Sequence, residues 1–211
     1  MLWAVARYES RLLWRSWAFR LSALVAVGFL LFFNIILTAP FSGAPLALQG
    51  FSAALPLTAV KLLNLYLGLI GALLATEFVK RDRQLDSAQT VFVNSYSNAA
   101  YVIGKMLGIG FAIGSLVIVA LLAVGVNHRF FADAAFAWQP YLLFPLLGTL
   151  PTLTFTIGVA CLLVTVLRSQ ALVLVLMLGL AALTLFGGER LFRLFDTFAF
   201  WLPLSYSDFV G

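Results

Sequence analysis

Few residues in this chain are of a type and spacing that does chemistry. A loop that cradles nucleotide phosphates reads GxxxxGK[ST]. The one Gly-Lys pair, Gly104 and Lys105, is followed by Met106 and lacks the earlier glycine. A zinc hydrolase needs two or three converging histidine or carboxylate ligands, yet His128 is the only histidine and no HExxH is present. With Asp133 nearby, His128 reads as solvated loop surface. Cys161, the one cysteine, lies inside an apolar run, so neither a disulfide framework nor a thiolate metal cluster can form within the chain; it reads as a small packing residue. The residues therefore point away from an enzyme and imply no cofactor and no metal.

The remaining candidates are polar side chains in apolar surroundings. Asn34, Lys61, Asn64, Thr152, Thr154 and Thr156 are costly in lipid unless they face protein or water. Asn34, Lys61, Asn64 and Thr154 are candidates for lining a path, although Lys61 would equally snorkel to an interface. Gly104, Gly108, Gly110 and Gly114 form two small-xxx-small pairs, a spacing that permits close helix packing. Pro145 and Pro151 would kink their helix and leave carbonyls for neighbours or water to satisfy.

The elements that must position these residues follow from hydropathy. The 211 residues are 63% hydrophobic and 10% charged, with mean hydropathy +1.06. A soluble domain is nearer half apolar and a quarter charged. The apolar residues fall in long runs that leave no stretch for an independent soluble core, so residues 1–211 form one all-α integral membrane domain. Runs of about 20 residues place five transmembrane helices at about 21–38, 57–79, 101–126, 141–167 and 171–188, with a turn at Arg168 ending the fourth. The net charge of +5 could suggest nucleic acid, but the basic residues sit beside apolar runs, as in loops facing anionic lipid.

Positive charge sets the orientation. Arg7, Arg11, Arg15 and Arg20 precede the first span, Lys80, Arg81 and Arg83 follow the second, and Arg168 follows the fourth. The intervening loops are poor in Lys and Arg, so the amino terminus is expected in the cytoplasm and residues 189–211 as an extracytoplasmic tail. A cleaved signal peptide ending near Ala39 is the competing reading, against which stands a basic region too long and too rich in Trp. Within residues 1–20, Arg7, Arg11 and Arg15 make one helical face and Val5, Leu12, Leu13 and Phe19 fall on the other. With Trp3, Trp14 and Trp17 at headgroup level this is an amphipathic interfacial helix, either a plain topogenic anchor or an elbow that steers a partner.

The loop after the second span is the most informative segment. Asp82 to Val93 can form a short helix outside the membrane, with Leu85, Ala88 and Phe92 on one face and Arg83, Asp86 and Gln89 available to another; the plainer alternative is a solvated charged loop. Asn94, Ser95, Ser97 and Asn98 break it, and Ser97 or Asn98 suits the N-cap of the third span.

The order "ARYESRLLWRSWAFR", one span, a second span ending in "EFVKRDRQLDSAQTVFVNSYSNAAYVIGKMLG", then paired apolar spans, resembles the permease subunits of type-2 ATP-binding-cassette (ABC) exporters. Arg81, Asp82, Arg83, Ser97, Asn98, Tyr101, Gly104 and Lys105 carry its most specific part, similar to a charged loop leading into a glycine-lysine turn. The resemblance implies that residues 1–20, with Arg7, Arg11 and Arg15, are a connecting helix. It implies that Asp82 to Val93, with Arg81, Asp82, Arg83, Leu85, Asp86, Ala88 and Phe92, is a cytoplasmic coupling helix that docks on a separate ABC ATPase subunit. It further implies a multi-pass plasma (inner) membrane protein paired with a second permease copy or a homologue. Such permeases have six spans. This chain departs from them after the fifth, so a fragment or a five-span variant is expected. A non-transporting membrane scaffold or assembly factor is the alternative function.

Overall fold

In lipid every backbone polar group must find its partner inside the protein, which a helix achieves within one segment. A computed structural model describes residues 2–38, 54–82, 98–131, 136–186 and 196–200, and among them the regular elements are all helical. They are α1 Leu2–Arg15, α2 Trp17–Thr38, α3 Ala54–Asp82, α4 Asn98–Phe131, α5 Gln139–Leu167 and α6 Gln170–Phe186. Four of these, α2 to α5, are long and apolar enough to cross a membrane. Of the five expected spans, the last corresponds to α6, whose 17 residues sit at the lower limit for a crossing. The chain is thus an all-α membrane protein. With 34 residues α4 runs for about 50 Å, well beyond a hydrocarbon core of about 30 Å.

The break between α1 and α2 is a single residue. The Ser16 N–H donates to Leu12 O at 3.1 Å and Leu13 O at 2.9 Å, and the Arg20 N–H donates to Ser16 O at 3.1 Å, so Ser16 is tied to both helices. Arg20 Nη2 closes the end of α1 by donating to Arg15 O at 3.0 Å. Tyr66 on α3 ties down the start of α2, its hydroxyl donating to Ser22 O at 3.0 Å.

The central element is α3, which touches α2, α4, α5 and α6. Its apolar residues surround it on all sides, as befits a helix with neighbours all round. Val60, Leu63 and Leu67 are buried with Ile113 of α4, Ile157 of α5 and Met177 of α6. Gly68 is required by a close approach: a Cβ there would stand 2.8 Å from the Phe198 ring, and Phe198 is fully buried against the bundle. Val60 lies opposite Gly148, Gly68 opposite Thr156 and Gly71 opposite Ile157, so α3 and α5 run the same way. Outside this core, Leu24, Phe32, Ile118, Leu122, Leu147 and Val175 are exposed on the spans, the surface that lipid would cover.

Candidate functional site

Two places in the bundle gather the polar residues, one at the α1 end and one in the middle of α5. At the first, α1 lies along the first half of α4. A Cβ on Gly104 would stand 3.0 Å from Val5 Cβ and 3.1 Å from Leu2 O, and one on Gly108 would stand 2.6 Å from Glu9 Cβ and 2.8 Å from Ala6 O. Further along, the edge of the Trp3 ring meets Phe111 at 5.3 Å between centroids, and Trp14 Nε1 donates to Ser115 Oγ at 3.2 Å. Contacts therefore advance together, from Leu2 at Gly104 to Trp14 at Ser115, and the two helices run in the same direction. The Gly104–Gly108 pair makes this approach, whereas a Cβ at Gly110 or Gly114 would meet nothing within 4 Å.

This geometry differs from a glycine-lysine turn, because Gly104 and Lys105 are inside α4. Lys105 Nζ lies 3.5 Å from Glu9 Oε1, and both side chains are almost wholly buried, at 4% and 8% exposure. The ammonium also sits 4.7 Å above the centre of the Tyr101 ring. Two buried opposite charges brought within an ångström of hydrogen-bond length make α1 a seated part of the bundle, since separating a buried pair is costly. Arg7, Arg11 and Arg15 are all exposed on the other side of α1, as the sequence periodicity predicts.

The same parallel packing fixes where the loop after the second span is attached. Asn98, where the chain re-enters α4, is one to two turns from Gly104, and α1 sits on Gly104. The residues expected to form a coupling helix are therefore flanked by an end of the bundle that also carries α1. Arg81 and Asp82 belong to the last turn of α3. Arg83, Leu85, Asp86, Ala88 and Phe92 lie outside the described residues.

The second place is a widened turn in α5. Pro151 has no N–H for Leu147 O, and its ring would press on that carbonyl. The helix responds with a π-helical turn over Pro145–Thr149, in which the Leu150 N–H reaches back to Pro145 O. A turn of this kind leaves the ladder locally irregular and recurs at functional sites. Here it packs on α3: the position of a Cβ on Gly148 is 3.6 Å from Val60 Cγ1 and 4.0 Å from Asn64 Nδ2. Asn64 is 1% exposed, and neither of its side-chain polar atoms, nor Thr149 Oγ1, has a hydrogen-bond partner. Buried groups of this sort cost free energy, and polar residues inside a span are candidates for a functional site.

The other path-lining candidates fall elsewhere. Asn34 is buried and donates from Nδ2 to Leu30 O at 3.0 Å. It lies twelve residues, about 18 Å, beyond Ser22 along α2. Asn64 is two residues from Tyr66, which reaches Ser22, so the two asparagines are not in one site. Lys61 is half-buried one turn from Asn64. Thr154 is exposed on the outside of α5 and donates to Leu150 O at 2.8 Å, which satisfies it locally. Thr152 and Thr156 are buried, with Thr156 Oγ1 donating to Thr152 O at 2.9 Å.

His128 departs from its expected place in a solvated loop. The ring is in the last turns of α4 with 1% exposure, its Nδ1 is 2.9 Å from the Tyr141 hydroxyl, and Phe136 meets it edge-on at 5.5 Å. The cause is that α4 runs to Phe131, five residues past the expected end of the span at Val126, which carries His128 against the start of α5. Sequence reasoning also passed over Glu9. The available signal was a lone carboxylate two residues from Arg7 and from Arg11, about 200° round the helix and so on the apolar side. Among the described residues no group of three or more His, Cys, Asp or Glu side chains converges as a metal site. Comparison of the chain with protein-family models, with curated proteins and with solved structures yields no match.

Proposed function

We propose that this chain is the transmembrane permease subunit of an ABC exporter, with its amino terminus in the cytoplasm of a plasma (inner) membrane. A separate cytoplasmic ATPase would supply the energy, and a second permease copy or a homologue would complete the path. The observation that carries the reading is the seating of α1 on α4 through Glu9, Lys105, Gly104 and Gly108. It gives the resemblance in the sequence a mechanical counterpart. An amphipathic helix at the bundle's end is locked to the span that the charged loop leads into, so a push on either would move both. Nucleotide-driven closure of the ATPases would press on the residues after α3 and on α1, and the bundle would shift between two packings that open to opposite sides. The π-helical turn beside Asn64 supports the same reading, as a soft point in an otherwise regular span.

The test is retention of the ATPase by the detergent-solubilised chain. If residues 82–93 dock as an amphipathic helix, Phe92 is its anchor, and Phe92→Ala costs about 2 kcal/mol of binding, the range of an aromatic hot spot. Arg83→Glu acts more weakly, mainly on encounter rate and salt dependence. Equal ATPase retention by wild type and Phe92→Ala, at equal expression, removes the coupling-helix assignment.

A further inference from the structure

The outward face of α1 holds an open, apolar hollow of about 410 Å³ lined by Trp3, Ala4, Arg7, Tyr8 and Arg11. We propose that this face binds an anionic phospholipid, with the glycerol and upper acyl region in the hollow against Trp3, Ala4 and Tyr8 and the headgroup phosphate on the exposed arginines, Arg7 and Arg11, at its rim. Three observations carry this. First, among the described residues no carboxylate lines this face: Glu9, the only one in α1, is turned to the opposite side and paired with Lys105. Second, Trp3 and Tyr8 are 63% and 65% exposed, and exposed aromatic rings of this amphipathic kind belong at the level of lipid headgroups. Third, the hollow adjoins the lipid-facing surface, since the Trp3 ring packs on Phe111 of α4 and Phe111 is itself exposed on a span. A phosphate diester beside an acyl chain matches a face that carries two exposed arginines beside an apolar hollow.

Arg15 and Arg20 are not equivalent to this pair. Arg20 is engaged with Arg15 O and lies 5.9 Å from the centre of the Trp17 ring, and neither Arg15 nor Arg20 lines the hollow. The site stands on described residues of α1 alone and does not depend on the ATPase proposed above.

The experiment is native mass spectrometry of the full chain in nonionic detergent with equimolar phosphatidylglycerol and phosphatidylcholine. Wild type should retain phosphatidylglycerol preferentially. Arg7→Gln/Arg11→Gln should lower that preference about 25-fold, about fivefold for each arginine lost near a membrane surface. Arg7→Lys/Arg11→Lys should keep most of it, and Arg15→Gln should leave it unchanged. Raising salt from about 0.05 M to about 0.5 M should weaken the preference in wild type but not in the glutamine variant. Inorganic phosphate in large excess should not displace the lipid, and displacement would mean a simple anion site and overturn the lipid assignment. Equal retention of the two lipids by wild type overturns the proposal. So does an unchanged preference in Arg7→Gln/Arg11→Gln with an unaltered far-ultraviolet spectrum, an outcome that would leave the face to a protein partner.

Discussion

Neutralising Glu9 tests how firmly α1 belongs to the bundle. In Glu9→Gln the Lys105 ammonium keeps the Tyr101 ring at 4.7 Å but loses the carboxylate at 3.5 Å, while its side chain is only 4% exposed. Removing one partner of a buried pair costs 3–5 kcal/mol as a rule. The cost here should be about 3 kcal/mol, at the low end, because 3.5 Å exceeds the 2.7–2.9 Å of a tight charge-assisted bond and the ring remains as a weaker partner. Lys105→Met should cost about as much, by leaving the Glu9 carboxylate buried among α1 and α4 side chains. The double variant Glu9→Gln/Lys105→Met strands no charge and should cost less than the sum of the singles by about 2 kcal/mol or more. Unfolding by sodium dodecyl sulfate in mixed micelles reads this out through tryptophan emission, since Trp3 and Trp14 both contact α4. Singles that each cost under about 0.5 kcal/mol would mean a pair no stronger than a surface ion pair and would refute the seating of α1.

Gly108→Ala should destabilise by about 1–3 kcal/mol, since its Cβ meets Ala6 O at 2.8 Å, while Gly110→Ala and Gly114→Ala should be neutral or gain up to about 1 kcal/mol from helix propensity; the same unfolding assay ranks them. Asn64→Leu removes two unpartnered buried polar atoms and should raise stability by about 1 kcal/mol while lowering transport, and a clear loss of stability would show that the amide had been satisfied. In a Cys161→Ala background, a cysteine at Ser42 should label from outside intact cells and one at Ser87 only after permeabilisation; the reverse pattern would invert the orientation.

Helix positions were legible in the sequence wherever one physical requirement dominated. The need for about 20 apolar residues located α2 to α5, and the four-residue recurrence of Arg7, Arg11 and Arg15 gave the exposed face of α1. The prolines at 145 and 151 pointed to a disturbed ladder, and the structure resolves the disturbance as a π-helical turn and not merely a kink. Pairings between distant segments were not legible. Nothing local joins Glu9 to Lys105, 96 residues apart, or tells Gly108, which meets α1, from Gly114, which meets nothing. His128 was misplaced for a related reason: hydropathy reports where lipid ends, whereas α4 continues past that point to Phe131 and so brings the ring against Tyr141 and Phe136. For Thr154 the structure adds what the sequence did not show: its hydroxyl donates within its own helix, to Leu150 O.

In the proposed mechanism, force from a partner ATPase enters through the α1 end of the bundle. Its most direct test is ATP hydrolysis by the ATPase reconstituted with the full chain in proteoliposomes, compared for wild type and Glu9→Gln. Wild type should stimulate hydrolysis, and Glu9→Gln should lose most of the stimulation while still retaining the ATPase, because α1 is then uncoupled from α4 and the docking residues are untouched. Hydrolysis that is the same with wild type, with Glu9→Gln and with no permease present would contradict it.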